Sequence, residues 1–208
     1  MDSDYLIFIS HIPYVSSEKS QEYLKILKTL ISSCSKNYRS HLLSPYSITI
    51  NREFLGIPSS TKTALLSIFY LEESIIEWNI PFQLSYVLLH GEISSSISKK
   101  TSLRLMGEGI SKARETLEKK KGTQPRILFQ IKSQKLSAQF NRLFMVLDSL
   151  ISGWNQKDFS LISDMLKNEN NEEVAIKYRK NRSQIWKRRK TLKISEYKAL
   201  KQVILDLI

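Results

Sequence analysis

Cysteine, glycine and proline are all scarce in this chain. Among 208 residues there are one cysteine, six glycines and five prolines. A single cysteine excludes an intrachain disulfide and leaves too few ligands for a cysteine-based zinc site. Cys34 falls in a helical pattern, so we expect it to be a small buried or half-buried side chain. The few glycines form no phosphate-binding loop, and no low-complexity linker divides the chain.

Long apolar runs and targeting signals are also missing. No apolar stretch reaches the roughly 18 residues that a membrane span needs. The first residues include Asp2 and Asp4 and lead into a short apolar run, without the basic start or the cleavage site of a signal peptide. We therefore expect a cytoplasmic protein with no membrane partner.

Acidic residues are too few to balance the basic ones. The chain has 32 Lys and Arg against 20 Asp and Glu, which gives a formal net charge of +12. An excess of this size favours a polyanionic partner, either nucleic acid or an anionic membrane surface. The alternative is a composition that is simply rich in lysine. Because 41% of the residues are hydrophobic and 10% aromatic, the chain can bury a core.

Apolar spacing in the first 133 residues alternates between strand and helix patterns. A helix capped by Ser16 or Ser17 follows the first strand, and a turn at Asn51 and Arg52 closes a hairpin. This order predicts an α/β sandwich with helices on one face of a mostly antiparallel sheet. From Gln134 onward the pattern is helical throughout. The predicted elements are strand 5–10, helix to about 31, hairpin 46–50 and 53–56, helix 61–77, strand 82–89, helix 107–121 and strand 126–131.

The strongest functional signal is a basic stretch near the end of the chain. Residues 174–193 hold nine Lys or Arg and no Asp or Glu. The stretch reads as two short helices with a break, 172–180 and 182–192, the second capped by Asn181. A supporting helix over 155–166 precedes them. Alone, a charge run is usually a solvated surface, but this arrangement is typical of a helix-turn-helix, whose second helix enters the major groove of DNA.

The candidate DNA contacts follow from that interpretation. Residues in the first turns of the second helix would face the bases, and later cations would face phosphates. The base-edge or groove candidates are Arg182, Ser183, Gln184 and Trp186, and the phosphate candidates are Lys180, Lys187, Arg188, Arg189 and Lys190. A basic structural helix, an RNA-binding surface and a membrane-binding surface are the alternatives.

Two groups of motifs make the chain resemble the SatD family of bacterial proteins over nearly its whole length. The C-terminal motif is 173–178 (EVAIKY) followed by 181–188 (NRSQIWKR), which is similar to that family's terminal helix-turn-helix. The internal motif is 90–93 (HGEI) followed by 106–114 (MGEGISKAR), which is similar to the family's Gly-Glu-Ile and Gly…Ala-Arg signatures. The resemblance implies a DNA-binding module at the end of the chain.

The N-terminal part also resembles the ferredoxin-like palm of nucleotide cyclases. Such palms hold a divalent metal with carboxylates at the end of the first strand and on the hairpin. His11 and Arg52 stand at those two positions here, so the resemblance implies a palm without its metal ligands. Glu53 and Glu92 remain as candidate acids, and neither a metal nor another cofactor is expected. For an anionic small-molecule ligand, the candidate contacts are Arg52, Lys112 and Arg114, although Arg114 also has Glu118 four residues on as an ordinary helix-surface partner.

The other candidate side chains are weaker. His11, His41 and His90 lack the spacing of metal ligands on a helix, and no serine lies in a nucleophile elbow. Trp78 and Trp154 are expected in the core, whereas Trp186 could be either core or a stacking surface.

These observations together predict an α+β protein, with a ferredoxin-like α/β sandwich followed by an all-α helix-turn-helix domain. The predicted divisions are a ferredoxin-like domain at 1–133, a connecting helix at 134–153 and a DNA-binding domain at 154–208. We expect a non-enzymatic transcriptional regulator that binds double-stranded DNA, with the first domain used for sensing or dimerisation. A cyclase-like enzyme and a protein-interaction adaptor are the rival hypotheses.

A homodimer is expected on weaker grounds, because helix-turn-helix proteins commonly pair two units across half-sites. Two apolar stripes are candidate seams, and packing within one chain is the alternative for both. They are Tyr197, Leu200, Val203, Ile204 and Leu207 near the end of the chain, and Leu136, Phe140, Leu143, Phe144, Leu147 and Leu150 in the connecting helix.

Overall fold

One five-stranded sheet carries eight α-helices in the part of the chain that the computed structural model describes, residues 3–12, 19–49, 53–119 and 125–208. The strands are β1 (Ser3–His11), β2 (Leu42–Ile48), β3 (Glu53–Pro58), β4 (Ser85–Ile93) and β5 (Ile127–Gln130). The helices are α1 (Ser20–Asn37), α2 (Thr61–Glu77), α3 (Glu108–Glu118), α4 (Gln134–Ser152), α5 (Phe159–Lys167), α6 (Asn171–Lys177), α7 (Arg182–Thr191) and α8 (Ile194–Asp206).

The strands lie in the order β2-β3-β1-β4-β5, with all neighbours antiparallel except the parallel pair β4 and β5. The predicted α+β class and the predicted order of strands and helices are confirmed. Pro45 lies inside β2, where the pairing with β3 shifts register. Because β2 is an edge strand and the register shift interrupts its pairing, the missing proline N–H is tolerated there. The predicted cap at Ser16 or Ser17 and the turn at Asn51–Arg52 lie outside the described residues.

Helices cover both faces of the sheet. Alternate residues of β1 divide between two apolar clusters, since successive side chains of a strand point to opposite faces. Leu6 and Phe8 belong to the cluster that includes α1, α2 and α4, whereas Ile7 and Ile9 pack with α3. The prediction that helices lie on one face is therefore wrong. An amphipathic pattern indicates that a helix buries one side, but it does not indicate which face of the sheet that side covers.

A contact between two glycines fixes α3 on its face of the sheet. A Cβ built on Gly109 would lie 2.6 Å from the carbonyl carbon of Gly91, and one built on Gly91 would lie 2.6 Å from the Cα of Gly109. Gly107, which caps α3, has φ +145°, a conformation that favours glycine. Residues 90–93 were expected to follow the strand, but they lie within β4 and form this contact. The internal family motif is thus a packing motif.

The C-terminal helices continue the core on the α2 side of the sheet. Phe140, Phe144 and Leu147 of α4 and Tyr197 and Ile204 of α8 are buried in the same cluster as the sheet residues. The remaining members of the two predicted dimer seams, apart from exposed Val203, pack partly buried against that cluster or are themselves half-buried. Both stripes therefore pack largely within the chain, which is the alternative to a dimer seam.

The burial of three single side chains can be compared with prediction, and two of them are buried as expected. Trp154 is buried and Cys34 is fully buried, as predicted, and burial raises the pKa of the Cys34 thiol to about 12. Trp78 was expected in the core, but it is 41% exposed. It occupies the C-cap of α2, where the helix leaves the packed layer. Within the described residues, no helix is long and apolar enough to span a membrane.

A buried ion-pair network joins the sheet to the helices. The Arg126 guanidinium donates to both carboxylate oxygens of Glu72 in α2, each at 2.8 Å, and to Asp148 of α4 at 2.7 Å. The Tyr86 hydroxyl donates to the same Glu72 carboxylate at 2.7 Å. Burial disfavours the charged guanidinium, but Glu72 and Asp148 outweigh that effect and raise the pKa of Arg126. The network therefore keeps a buried charge satisfied where β4, β5, α2 and α4 meet.

Candidate nucleic-acid interface

Helices α6 and α7 are joined by a tight turn of four residues, 178–181. The turn ends α6 with a left-handed residue, Arg179, at φ 51°. The Lys180 N–H donates to the Ala175 carbonyl and the Arg179 N–H donates to the Ile176 carbonyl, which together form a Schellman motif. Glycine is the usual residue at this place, so arginine keeps the turn at some conformational cost.

The first turn of α7 is fixed by a reciprocal cap. The Asn181 side chain accepts from the Gln184 N–H at 2.8 Å, and the Gln184 side chain accepts from the Asn181 N–H at 3.0 Å. The predicted cap at Asn181 is confirmed. Because the Gln184 side-chain oxygen is engaged in the cap, only its amide nitrogen is available to donate to a ligand.

One side of α7 holds the helix on the protein. Ile185 is 2% exposed, and Val174 and Ala175 of α6 are equally buried in the same cluster. At the end of α7, the Trp154 indole N–H donates to the Leu192 carbonyl at 2.7 Å, in a buried position. These contacts fix the orientation of α7, so the opposite side of the helix is defined by the fold.

That opposite side forms the outer face of α7, which we define as Ser183, Trp186, Lys187 and Lys190. These residues recur at spacings of three and four, which places them along one stripe of a helix. All are exposed, and the Lys190 ammonium lies 4.2 Å from the centre of the Trp186 ring, a cation–π contact. Trp186 is 46% exposed, so it is a surface residue.

Three cations at or near this face are unpaired. Lys180, Arg182 and Lys187 are exposed, and no ion pair joins them to an acidic group anywhere in the described parts of the chain. Lys180 and Arg182 lie at the N-terminal end of α7, next to the cap. Positive charge is therefore displayed at the start of α7 and along its outer face.

Arg188 and Arg189 are turned back toward the protein. The Arg189 guanidinium donates to the Asn171 side chain and to the carbonyls of Met165 and Asn168, each at 2.8 Å. Arg188 forms an ion pair of 2.6 Å with Asp158. Arg189 therefore joins α5, α6 and α7, and both guanidinium groups are engaged within the protein. The role of these two residues as phosphate contacts stays a prediction. Helical spacing in the sequence predicts this inward orientation, because Arg188 lies three positions and Arg189 four positions after Ile185 and they share its side of the helix.

Asp164 of α5 anchors the end of α6. It accepts from the Tyr178 hydroxyl at 2.6 Å and from the Lys177 ammonium at 2.8 Å. Partial burial acts to raise the pKa of Asp164, but these two hydrogen bonds outweigh it and the pKa is lowered. Lys177 is thus a structural cation within the basic stretch. Sequence reasoning missed this contact because Asp164 lies outside that stretch.

The predicted anion contacts in the first part of the chain are not brought together. Arg114 donates to the Glu53 carboxylate at 2.7 Å, so its expected pairing with Glu118 is wrong. Lys112 lies two residues away on α3, on a different side of the helix, in a cavity lined by the acidic Asp4, Glu92 and Glu108. Arg52 lies outside the described residues. The surroundings of Lys112 disfavour an anion.

Glu53 and Glu92 lie at opposite ends of the sheet. Glu53 is paired in register with His11, and Glu92 with Asp4. These partners are seven positions apart along β1, a span of about 23 Å, so the two carboxylates cannot share one metal ion. Among the described residues, no group of three His, Cys, Asp or Glu side chains is arranged to hold a metal.

The comparisons with known proteins agree with the motifs. The sequence model of the SatD family matches residues 7–208, from within β1 to the end of α8. No curated protein matches the chain. The match takes in both the glycine contact between β4 and α3 and the α6–α7 pair. Because it covers almost the whole chain, the protein belongs to the SatD family.

Proposed function

We propose that the protein binds double-stranded DNA through α6 and α7, acting as a helix-turn-helix, and that it regulates transcription. The observation that carries the proposal is the outer face of α7. It presents Lys187 and Lys190 with an exposed tryptophan, on a helix whose other side is fixed to the core. Such a helix fits the major groove, with its first turns against base edges and its cations against phosphates.

The contacts are assigned by what each side chain is free to do. Arg182 and Ser183, at the start of α7, are proposed for base edges, and Gln184 can contribute through its amide nitrogen alone. Lys180, Lys187 and Lys190 are proposed for phosphates, to which ammonium groups bind as point charges. Trp186 lies between them and is proposed to pack against the sugar-phosphate backbone or a thymine methyl group.

For the first part of the chain we propose a ferredoxin-like arrangement used for sensing or dimerisation. The antiparallel order β4-β1-β3-β2, with α1 and α2 between successive strands, supports this interpretation. We propose no catalytic step for it. Glu53, which follows the Arg52 position where a palm would hold a metal carboxylate, is engaged by Arg114.

Paired variants of the full chain test the DNA proposal. Lys187→Ala/Lys190→Ala removes two charges from the outer face of α7, and Lys25→Ala/Lys28→Ala removes two exposed charges from α1. Binding of the purified proteins to selected duplex DNA is measured at one salt concentration. We expect the α7 variant to bind at least about tenfold more weakly than wild type and the α1 variant to remain close to it. Equal affinities for all three proteins would refute the assignment of α7.

The exposed tryptophans allow a second comparison. Trp186→Ala changes the outer face of α7, whereas Trp78→Ala changes an equally exposed ring at the end of α2. We expect Trp186→Ala, and not Trp78→Ala, to weaken DNA binding. We also expect the fluorescence of Trp186 in the wild-type protein to change when DNA is added. A larger loss for Trp78→Ala would move the interface away from α7.

A further inference from the structure

A cationic cavity lies at the far end of α1, away from α7 in sequence and outside the DNA-binding helices. Its volume is about 870 Å³, within the range of small-molecule sites. Among the described residues that line it, none is acidic and the charged ones are all basic: Lys36, Arg39, Lys99 and Lys100. The uncharged polar residues of the lining are Ser32, Ser35, Asn37 and Ser40.

Two other cavities lack this bias. The cavity beside β4 sets Lys112 against three acidic residues, and the one between α2 and α8 sets lysines against Glu73 and Glu77. In those cavities positive charge is compensated within the protein. Four cations without a lining acid instead repel one another, and an anion entering the cavity would relieve that repulsion.

The segment that carries Lys99 and Lys100 is anchored to the sheet by buried serines. Ser44 of β2 donates to the Ser98 carbonyl at 2.8 Å, and Ser102 donates to the Leu55 carbonyl of β3 at 2.5 Å. Both serines are fully buried. These bonds hold the two lysines beside Lys36, even though more than sixty residues separate them in sequence. The cationic lining is thus held by the fold on both sides.

We infer that this cavity binds a small molecule through a chain of phosphate groups. Ammonium and guanidinium groups recognise phosphate oxygens through charge-assisted hydrogen bonds. The described residues of the lining include no aromatic ring, and the apolar ones are Leu42 and Pro45, so this part of the cavity offers no stacking surface for a base. Recognition therefore rests on the phosphates, whether the ligand is a nucleoside triphosphate or an inorganic oligophosphate. We thus propose that an anionic ligand binds in this cavity and not at Lys112 and Arg114, where the sequence predicted it.

Calorimetric titration of the full chain with inorganic triphosphate at low ionic strength tests the inference. We expect saturable binding by wild type and roughly tenfold weaker binding by Lys36→Ala/Lys99→Ala. A second variant, Arg39→Ala/Lys100→Ala, should show the same loss. The control is Lys25→Ala/Lys28→Ala, which removes equal charge from α1 outside the cavity and should bind like wild type. Thermal melting of each variant confirms that it is folded.

Competition tests whether the phosphates carry the recognition, and the ratio of the affinities for adenosine triphosphate and inorganic triphosphate distinguishes the two sources, since a nucleoside that is also recognised would make adenosine triphosphate bind more tightly. Adenosine triphosphate should displace inorganic triphosphate, whereas adenosine should not. Failure of wild type to bind triphosphate, or an equal loss in the control variant, would overturn the inference. So would displacement of triphosphate by duplex DNA together with loss of DNA affinity in the cavity variants, because the cavity would then hold the DNA backbone. Loss of DNA binding in the α7 variant is measured separately, so the two proposals fail independently.

Discussion

Arg189 illustrates how one cation in a basic stretch can be a structural residue. Its guanidinium makes three hydrogen bonds that join α5, α6 and α7. We predict that Arg189→Ala lowers the free energy of unfolding by about 1–3 kcal/mol, because a charged donor is lost from three acceptors. In thermal melting this is a fall of several degrees. Lys187→Ala, which removes an exposed and unpaired charge, is the control, and equal melting temperatures for the two variants would contradict the assignment.

The ionisation of Asp164, which links α5 to the end of α6, makes the stability of the protein depend on pH. Its pKa in the folded protein is lowered from the usual 3.8, since the hydrogen bonds from Lys177 and Tyr178 outweigh the opposing effect of burial. A lowered pKa means that the carboxylate stabilises the fold above about pH 3.8 and loses that contribution as the pH falls through the folded value. We predict that Asp164→Asn melts below wild type at neutral pH and that the difference shrinks at about pH 3.

The control for that measurement is Glu118→Gln, which changes an exposed carboxylate on α3. Its melting temperature should follow wild type at both pH values. A difference between Asp164→Asn and wild type that stays constant from neutral to acidic pH would show that the charge of Asp164 is not responsible.

Side-chain roles in the candidate interface were only partly predictable. The sequence placed the cap at Asn181 and the start of α7, because capping depends on residues close together in the chain. It did not distinguish the inward-facing Arg188 and Arg189 from the exposed Lys187 and Lys190, because a count of charges does not take account of the direction in which each side chain leaves the helix. The partners of Arg114 and Lys177 were not predictable, because Glu53 and Asp164 reach them only through the fold.

The contact between α3 and β4 leaves no room for an added methyl group, so the stability of the protein depends on glycine there. A Cβ on Gly109 would meet the backbone of Gly91, which cannot move aside as a flexible side chain would. We predict that Gly109→Ala destabilises the protein by about 1–3 kcal/mol, measured by chemical unfolding. Gly153→Ala is the control, because the nearest atom to its Cβ would be 3.3 Å away and its φ is −76°. Equal stability of both variants would refute the packing role of the motif.

Secondary structure followed closely from local pattern, whereas the placement of elements did not. Helix α2 has the predicted bounds because its apolar residues keep a helical period from the Ser60 cap onward. Strand β4 runs further than predicted, since Gly91 interrupts the apolar pattern that marks a strand. Here the glycine marks the approach of α3, and that long-range contact leaves no local signature beyond the residue itself.

For the molecule as a whole, the helices after residue 133 share their core with the sheet. The Tyr197 ring of α8 lies 5.1 Å from the Trp154 ring in a tilted arrangement, and its hydroxyl donates to Glu73 of α2 at 3.0 Å. Length and apolar stripes could not distinguish this packing from a dimer seam, because both bury the same side chains. A homodimer stays a prediction. Light scattering across a concentration series measures the stoichiometry.

The central claim is that the outer face of α7 and the adjacent cations bind DNA phosphates. The most direct test is the salt dependence of binding to duplex DNA, since each neutralised phosphate contributes about −0.9 to the slope of log affinity against log salt. For one copy of the chain, the three phosphate contacts proposed for Lys180, Lys187 and Lys190 predict a slope of about −3. Lys187→Ala/Lys190→Ala should flatten it by about 2. A wild-type slope near zero, or a slope that the variant leaves unchanged, would contradict the claim.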